Sequence, residues 1–348
     1  MIHGGDIYSQ EIEYDFSVNL NPLDCNEIIE QIMNSGRLVA GNYPDSQQRL
    51  FREAVAKIEG VAAKEVIGGN GASELLFALF HMLKPKRVML PAPGFAGYRH
   101  AAASLDNCEI ICHSISEEKS FVICDDFLQM LEMEAEEGLD MLILNNPNNP
   151  TGRIIPKDIL LKAYGICKEK GIKLVVDECF LKMSDGGYSM IAHINDYDGL
   201  FVVNAFTKLF AIPGIRAGYV VSAMSNIEAL MRFLPEWNLS VIAQTAGVIC
   251  CNILESQSFE ESSLKVIRTE RDYLVKELKK LGIVVYESET SYVLVYSQTD
   301  IYEYLKSRKI LIRDCSDYDG LSKGFYRIAV KSHSENEILV ETLKRGNS

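Results

Sequence analysis

The chain has 348 residues, 47% of them hydrophobic, enough to bury one large core or two ordinary ones. Its formal charge is −13, from 35 Lys+Arg against 48 Asp+Glu, which argues against an electrostatic footprint for nucleic acid. Nine cysteines occur without a CxxC pair, so no metal-ligand grid is expected and they read as reduced thiols of a cytoplasmic protein.

In chain order, Met1-Ile2-His3-Gly4-Gly5-Asp6 lacks a basic start and an apolar core, so no signal peptide is expected. Residues 1–25 are polar and irregular and are expected to form an arm that joins a smaller domain or reaches a partner subunit. A large domain is predicted over 26–235. Within it, a helix over 73–83 precedes short apolar runs at 88–90 and 141–144. A helix over 156–170 follows, with a proline in its first turn. Further apolar runs lie at 173–176 and 200–203, and all four read as buried strands. This alternation predicts a three-layer α/β/α domain with a mostly parallel sheet. Ligands of such sheets bind beyond the carboxyl ends of the strands.

Over 236–348 the pattern changes to a smaller α+β domain. A charged helix is predicted near 259–281, strands near 292–296, 310–313 and 326–330, and a last helix over 334–344. The most apolar late stretch, 241–254, contains Gln244 and Thr245 and is too short to span a bilayer, so no membrane association is expected.

Three segments carry the chemistry: Asn146-Pro147-Asn148-Asn149-Pro150-Thr151-Gly152, then Val175-Val176-Asp177-Glu178, then Thr207-Lys208 with Arg216 eight residues further on. Each suits one part of pyridoxal 5′-phosphate. A lysine forms a Schiff base with its aldehyde, an aspartate pairs with its pyridine nitrogen, and an arginine clamps its phosphate. Lys208 alone would read as a surface lysine at a strand end, and Asp177 alone as a strand-end or helix-capping carboxylate. In this order they read as the two catalytic groups. The two prolines and Gly152 stiffen the turn that would aim the Asn149 amide at the cofactor's 3-hydroxyl.

The run Gly68-Gly69-Asn70-Gly71-Ala72-Ser73-Glu74 opens a helix. Glu74 stands where a dinucleotide fingerprint needs a third glycine, so the run reads as a phosphate cup in which Gly71, Ala72 and Ser73 work with Arg216. Phe95 is expected to lie on the cofactor ring, the alternative being an ordinary core aromatic. Arg327, alone in the apolar run Phe325-Tyr326-Arg327-Ile328-Ala329-Val330, is expected to hold a substrate carboxylate, the alternative being an internal salt bridge.

Together these residues resemble the fold-type I, aspartate-aminotransferase-like family of pyridoxal-phosphate enzymes, over essentially the whole chain. Within it the chain is similar to the branch of histidinol-phosphate aminotransferases and L-threonine-O-3-phosphate decarboxylases. Four segments favour the decarboxylases: His3-Gly4-Gly5, Asp15-Phe16-Ser17-Val18-Asn19-Leu20-Asn21-Pro22, Ala211-Ile212-Pro213-Gly214-Ile215-Arg216, and Ile312-Arg313-Asp314-Cys315-Ser316. So does Phe180, where aminotransferases of the family usually carry tyrosine. The resemblance implies a homodimer with shared active sites, in which Tyr43 reaches the partner's cofactor phosphate. It also implies that His3 and Asn21 lie near the substrate and that Thr207 joins the cofactor site. Ala205 departs from the family's usual serine or threonine and removes one phosphate hydroxyl, and Asp24 replaces a common glycine after the Asn-Pro step. The reaction so implied is decarboxylation of L-threonine O-3-phosphate to (R)-1-aminopropan-2-yl phosphate in cobalamin biosynthesis. The alternatives are transamination of histidinol phosphate or a related amino acid, serine phosphate as substrate, and a non-catalytic partner-binding module.

Overall fold

A computed structural model describes residues 4–346. Its strands are β1 (Tyr14–Asp15), β2 (Val66–Asn70), β3 (Arg87–Ala92), β4 (Glu109–Ser114), β5 (Met141–Asn145), β6 (Lys173–Asp177), β7 (Leu200–Ala205), β8 (Ala217–Ser222), β9 (Val284–Val285), β10 (Tyr292–Tyr296), β11 (Ile310–Leu311), β12 (Arg313–Asp314) and β13 (Phe325–Ala329). Seven of them form one sheet in the order β2-β8-β7-β6-β5-β3-β4. Every neighbouring pair is parallel except the two made by β8.

The central strands are buried along nearly their whole length because apolar side chains leave both faces. Leu142, Leu144, Leu174, Val176 and Val202 enter one core. Met141, Ile143, Val175, Phe201 and Val203 enter the other. This period of two gives the sheet a helical layer on each side, the three-layer α/β arrangement expected from the alternation of elements.

The helix Val241–Leu254 starts where the Ser240 hydroxyl accepts from the Ala243 N–H at 3.1 Å. It buries Ala243, Ala246, Ile249 and Cys250 in the first of these cores. The helix lies beyond the expected boundary at 235 and is apolar because it packs into the large core, where its glutamine and threonine find carbonyl partners. The smaller sheet runs β12-β13-β10-β9 and is antiparallel. Val293, Ile328, Leu274 and Leu339 join it to the helices Ser258–Lys280 and His333–Gly346. Residues 14–16 join this unit: β1 pairs in parallel with β11, and Phe16 is buried in the small core. Among the described residues no helix is long and apolar enough to cross a membrane.

Candidate active site

The carboxyl ends of β5, β6 and β7 lie side by side and open into a cavity of about 220 Å³. Register sets Asn145 beside Asp177, and Asp177 beside Val203. Lys208 follows β7 in the short helix Phe206–Leu209. Three adjacent strand ends thus bring together groups that lie up to 63 positions apart in the sequence (145 to 208).

Asp177 is 5% exposed. Its Oδ2 accepts from the Tyr98 hydroxyl at 2.8 Å and its Oδ1 from the Cys179 N–H at 3.1 Å. These two bonds fix the carboxylate's orientation. Burial and the neighbouring carboxylate push the Tyr98 hydroxyl well above the ordinary phenol range, so it remains a proton donor. The Lys208 ammonium lies 5.9 Å from the centre of the Phe180 ring. Burial, helped by the charges of Arg327 and Arg216, lowers its amine from 10.5 to about 8.

The Asn149 N–H donates to Asn145 Oδ1 at 2.9 Å, and Asn145 Nδ2 donates to the Asp177 carbonyl at 3.1 Å. Asn149 Oδ1 accepts from Arg327 Nη1 at 2.5 Å. Arg327 Nη2 donates to the Ser17 carbonyl, also at 2.5 Å, while its buried Nε has no hydrogen-bond partner. Among the described residues Arg327 forms no ion pair, so a guanidinium charge faces the cavity with only neutral acceptors around it.

At the other end of the cavity, the helix Ala72–Leu83 begins after Gly71 with no side chain capping its first N–H groups. Gly71 has φ +76°, and a Cβ there would run into the Arg216 guanidinium. Arg216 is itself in the left-handed region, at φ 62°, a conformation costly for a side chain of this size. Its guanidinium donates to the carbonyls of Pro213 and Asn70 at 3.2 and 3.3 Å. Gly68 and Gly69 are in β2 rather than in this cup, packed against Phe51 and Leu75.

Ala72, Ser73, Phe95 and Thr207 also line the cavity, and Phe95 stands edge-on to Tyr98 at 5.4 Å. Two expected residues do not meet there. Asn21 is buried outside it, its amide donating to the Leu209 carbonyl and the Ser263 hydroxyl at 2.7 and 2.8 Å. Tyr43 is 82% exposed and lies against Trp237, ring centres 5.0 Å apart. His3 lies outside the described residues.

Several lining residues carry polar groups that sequence reasoning gave no role. Asn19 has a buried Oδ1 without a partner. Arg313 is 6% exposed and extends β12 into the cavity wall. Asn145 and Cys179 flank Asp177. The signal for Arg313 was available, since it interrupts an apolar run just as Arg327 does. Asn19 lies two positions before Asn21 in a segment already singled out, but nothing local says which amide faces inward.

The family model for aminotransferases of class I and II matches residues 11–343. The chain is 31% identical to a threonine-phosphate decarboxylase of Salmonella typhimurium, over 98% of this chain and 95% of that protein. It is also 31% identical to a histidinol-phosphate aminotransferase of Thermoanaerobacter pseudethanolicus, over 97% of this chain and 94% of that protein. The crystal structure of the histidinol-phosphate aminotransferase from Clostridium acetobutylicum has the same fold, with a TM-score of 0.86 and 26% identity, covering 96% of this chain and 99% of that one. The chain belongs to the class I and II aminotransferase family. Its fold is that of the pyridoxal-phosphate-dependent transferases, and its cofactor is pyridoxal 5′-phosphate. The cavity fits that group. One end offers a helix N-terminus, an arginine and a glycine whose missing side chain leaves room beside them; the other offers a buried carboxylate and a lysine of lowered pKa.

Proposed function

We propose that this enzyme decarboxylates a phosphorylated hydroxy amino acid, L-threonine O-3-phosphate, to (R)-1-aminopropan-2-yl phosphate, a step of cobalamin biosynthesis. The observation that carries this reading is the pair of buried arginines in one cavity. Arg327 has only neutral partners, and Arg313 lies in the wall beside it. Two cationic anchors suit a substrate with two anionic groups, a carboxylate and a phosphate. The threonine-phosphate decarboxylase similar to this chain supports the same reading.

Lys208 would hold the cofactor's aldehyde, Asp177 its pyridine nitrogen and Asn149 its 3-hydroxyl. Gly71, Ala72, Ser73, Thr207 and Arg216 would hold its phosphate, and Phe95 would cover its ring. Bound there, the cofactor supplies an electron sink for the bond broken at the substrate's α-carbon. Asp177, held by Tyr98 and Cys179, presents its carboxyl group in one fixed orientation. Arg327 would grip the substrate carboxylate and fix the orientation of the substrate, which selects the bond to be cleaved. As carbon dioxide leaves, Lys208 Nζ would deliver the proton that takes its place on the α-carbon. An amine lowered to about 8 exchanges protons readily near neutrality. Phe180 brings no hydroxyl to the cavity that would compete as a proton carrier.

Transamination is the second reading, favoured by the likeness to two histidinol-phosphate aminotransferases. Supplied with threonine phosphate, the enzyme should release carbon dioxide without any keto acid. Keto-acid-dependent transfer of the amino group from histidinol phosphate, with no carbon dioxide from threonine phosphate, would replace the first reading by the second. A homodimer in the cytoplasm fits the reading too. Tyr43 is exposed beside Trp237, where a second copy would meet it, and all nine cysteines are unpaired. Sedimentation should give twice the chain mass.

A further inference from the structure

The two arginines of the cavity are held in different ways. Arg313 Nη2 donates to both oxygens of Asp317, at 2.7 and 3.0 Å, and its Nη1 donates to the Asp314 carbonyl at 2.6 Å. The Tyr318 ring lies 5.2 Å from the guanidinium carbon. Arg313 is also shared between two cavities, the one holding Lys208 and a neighbouring one of about 500 Å³ between the arm and the small domain. Asp317 borders only the second. Its carboxylate therefore holds the guanidinium from the outer side, and its side chain is 38% exposed.

We infer that Asp317 is a displaceable counter-ion: in the empty enzyme it occupies the Arg313 nitrogen that a substrate's phosphate takes over, and it returns when the product leaves. This rests on the reading that the substrate is phosphorylated. An exposed carboxylate loses little when it returns to water, so its bond to arginine is a weak competitor. A phosphate monoester carries between one and a half and two charges and three acceptor oxygens, so it wins that competition. A neutral hydroxyl or a single carboxylate offers Arg313 no more than Asp317 already does. Asp317 thus raises the threshold an anion must pass to reach Arg313. It also helps release, because the product of decarboxylation keeps its phosphate. Arg327, without a competing carboxylate, stays open to the group it binds.

The test titrates cofactor-loaded enzyme with inorganic phosphate by calorimetry at constant ionic strength. Asp317→Asn should bind phosphate about two- to fivefold more tightly than the natural chain, the factor expected when a partly exposed ion pair no longer competes. Asp317→Glu, which keeps the charge, should bind as the natural chain does. Asp317→Asn combined with Arg313→Gln should lose the gain. With threonine phosphate, Asp317→Asn should lower KM by a similar factor without raising kcat. If folded, cofactor-loaded Asp317→Asn binds phosphate no more tightly, the counter-ion role is overturned. If the gain is found but phosphate-free threonine is turned over as well as threonine phosphate, the substrate reading fails while the counter-ion role stands.

Discussion

Arg327 and Asn149 are 178 positions apart, yet Arg327 Nη1 donates to Asn149 Oδ1 at 2.5 Å. This bond ties β13 of the small domain to the turn after β5 of the large one. The residue expected to bind the substrate carboxylate thereby also helps to orient the residue expected to meet the cofactor.

Arg327→Lys keeps the charge but loses the planar fork. A charge-assisted hydrogen bond contributes about 1.5–3 kcal/mol, so kcat/KM for threonine phosphate should fall roughly 10- to 150-fold. Steady-state kinetics reads this directly, and unchanged kcat/KM would remove Arg327 from the substrate site.

Asp177→Asn should leave the fold and cofactor content intact and strip most activity, because an amide cannot balance a protonated pyridine nitrogen. Tyr98→Phe should act through Asp177 and cost about tenfold in kcat, the value of one bond to a charged acceptor. Equal, complete loss in both would assign Tyr98 a direct role.

Gly71→Ala places a methyl against the Arg216 guanidinium at a positive φ. Backbone strain of about 1–3 kcal/mol should appear as weaker cofactor binding, roughly 5- to 150-fold, with normal circular dichroism. An absorbance titration with pyridoxal phosphate measures it, and unaltered affinity would place the phosphate elsewhere.

The Lys208 amine is lowered from 10.5 to about 8. In cofactor-free enzyme its reaction with aldehydes should therefore rise with a midpoint near pH 8, and borohydride should fix pyridoxal phosphate to this lysine. Below pH 8 the buried amine is charged in both the folded and unfolded states and its burial penalty applies in full. The penalty is relieved as pH rises from about 8 to 10.5. Arg327→Met should move the midpoint upward, since a neighbouring positive charge is removed. Attachment to another lysine on peptide mapping would overturn the assignment.

Burial raises the Glu178 carboxyl from 4.5 to about 7, although the Met190 N–H and the Ser189 hydroxyl both bond to it. Its stabilising contribution is fully present below pH 4.5 and is lost as pH rises through about 7, where the fold must bury a charge. Glu178→Gln should be near neutral at pH 5 and stabilising by about 3 kcal/mol at pH 8.5. Urea unfolding at the two pH values checks the sign.

That Lys208, Asp177 and Asn149 line one cavity was legible in the chain, because each lies at or a few residues beyond the end of an apolar run. A parallel sheet carries such strand ends to one edge, so local order already implies convergence. Gly71 and Arg216 were legible for a related reason, as a helix start and an arginine at a short spacing from the lysine. The antiparallel insertion of β8 between β2 and β7 was not legible, because its all-apolar run looks the same in either direction. The helix Val241–Leu254 was apolar on paper, but only packing showed that it belongs to the large core. The choice between Asn19 and Asn21 was likewise tertiary. The Asn21 N–H donates to the Lys208 carbonyl at 3.0 Å and its side chain is held by Leu209 and Ser263, so the inward amide is the one two positions earlier. Tyr98 on Asp177 and Asp317 on Arg313 belong to the same class of fact. A hydrogen bond is set by distance in space, and the sequence alone specifies the two side chains without saying that the fold will bring them within three ångströms of each other.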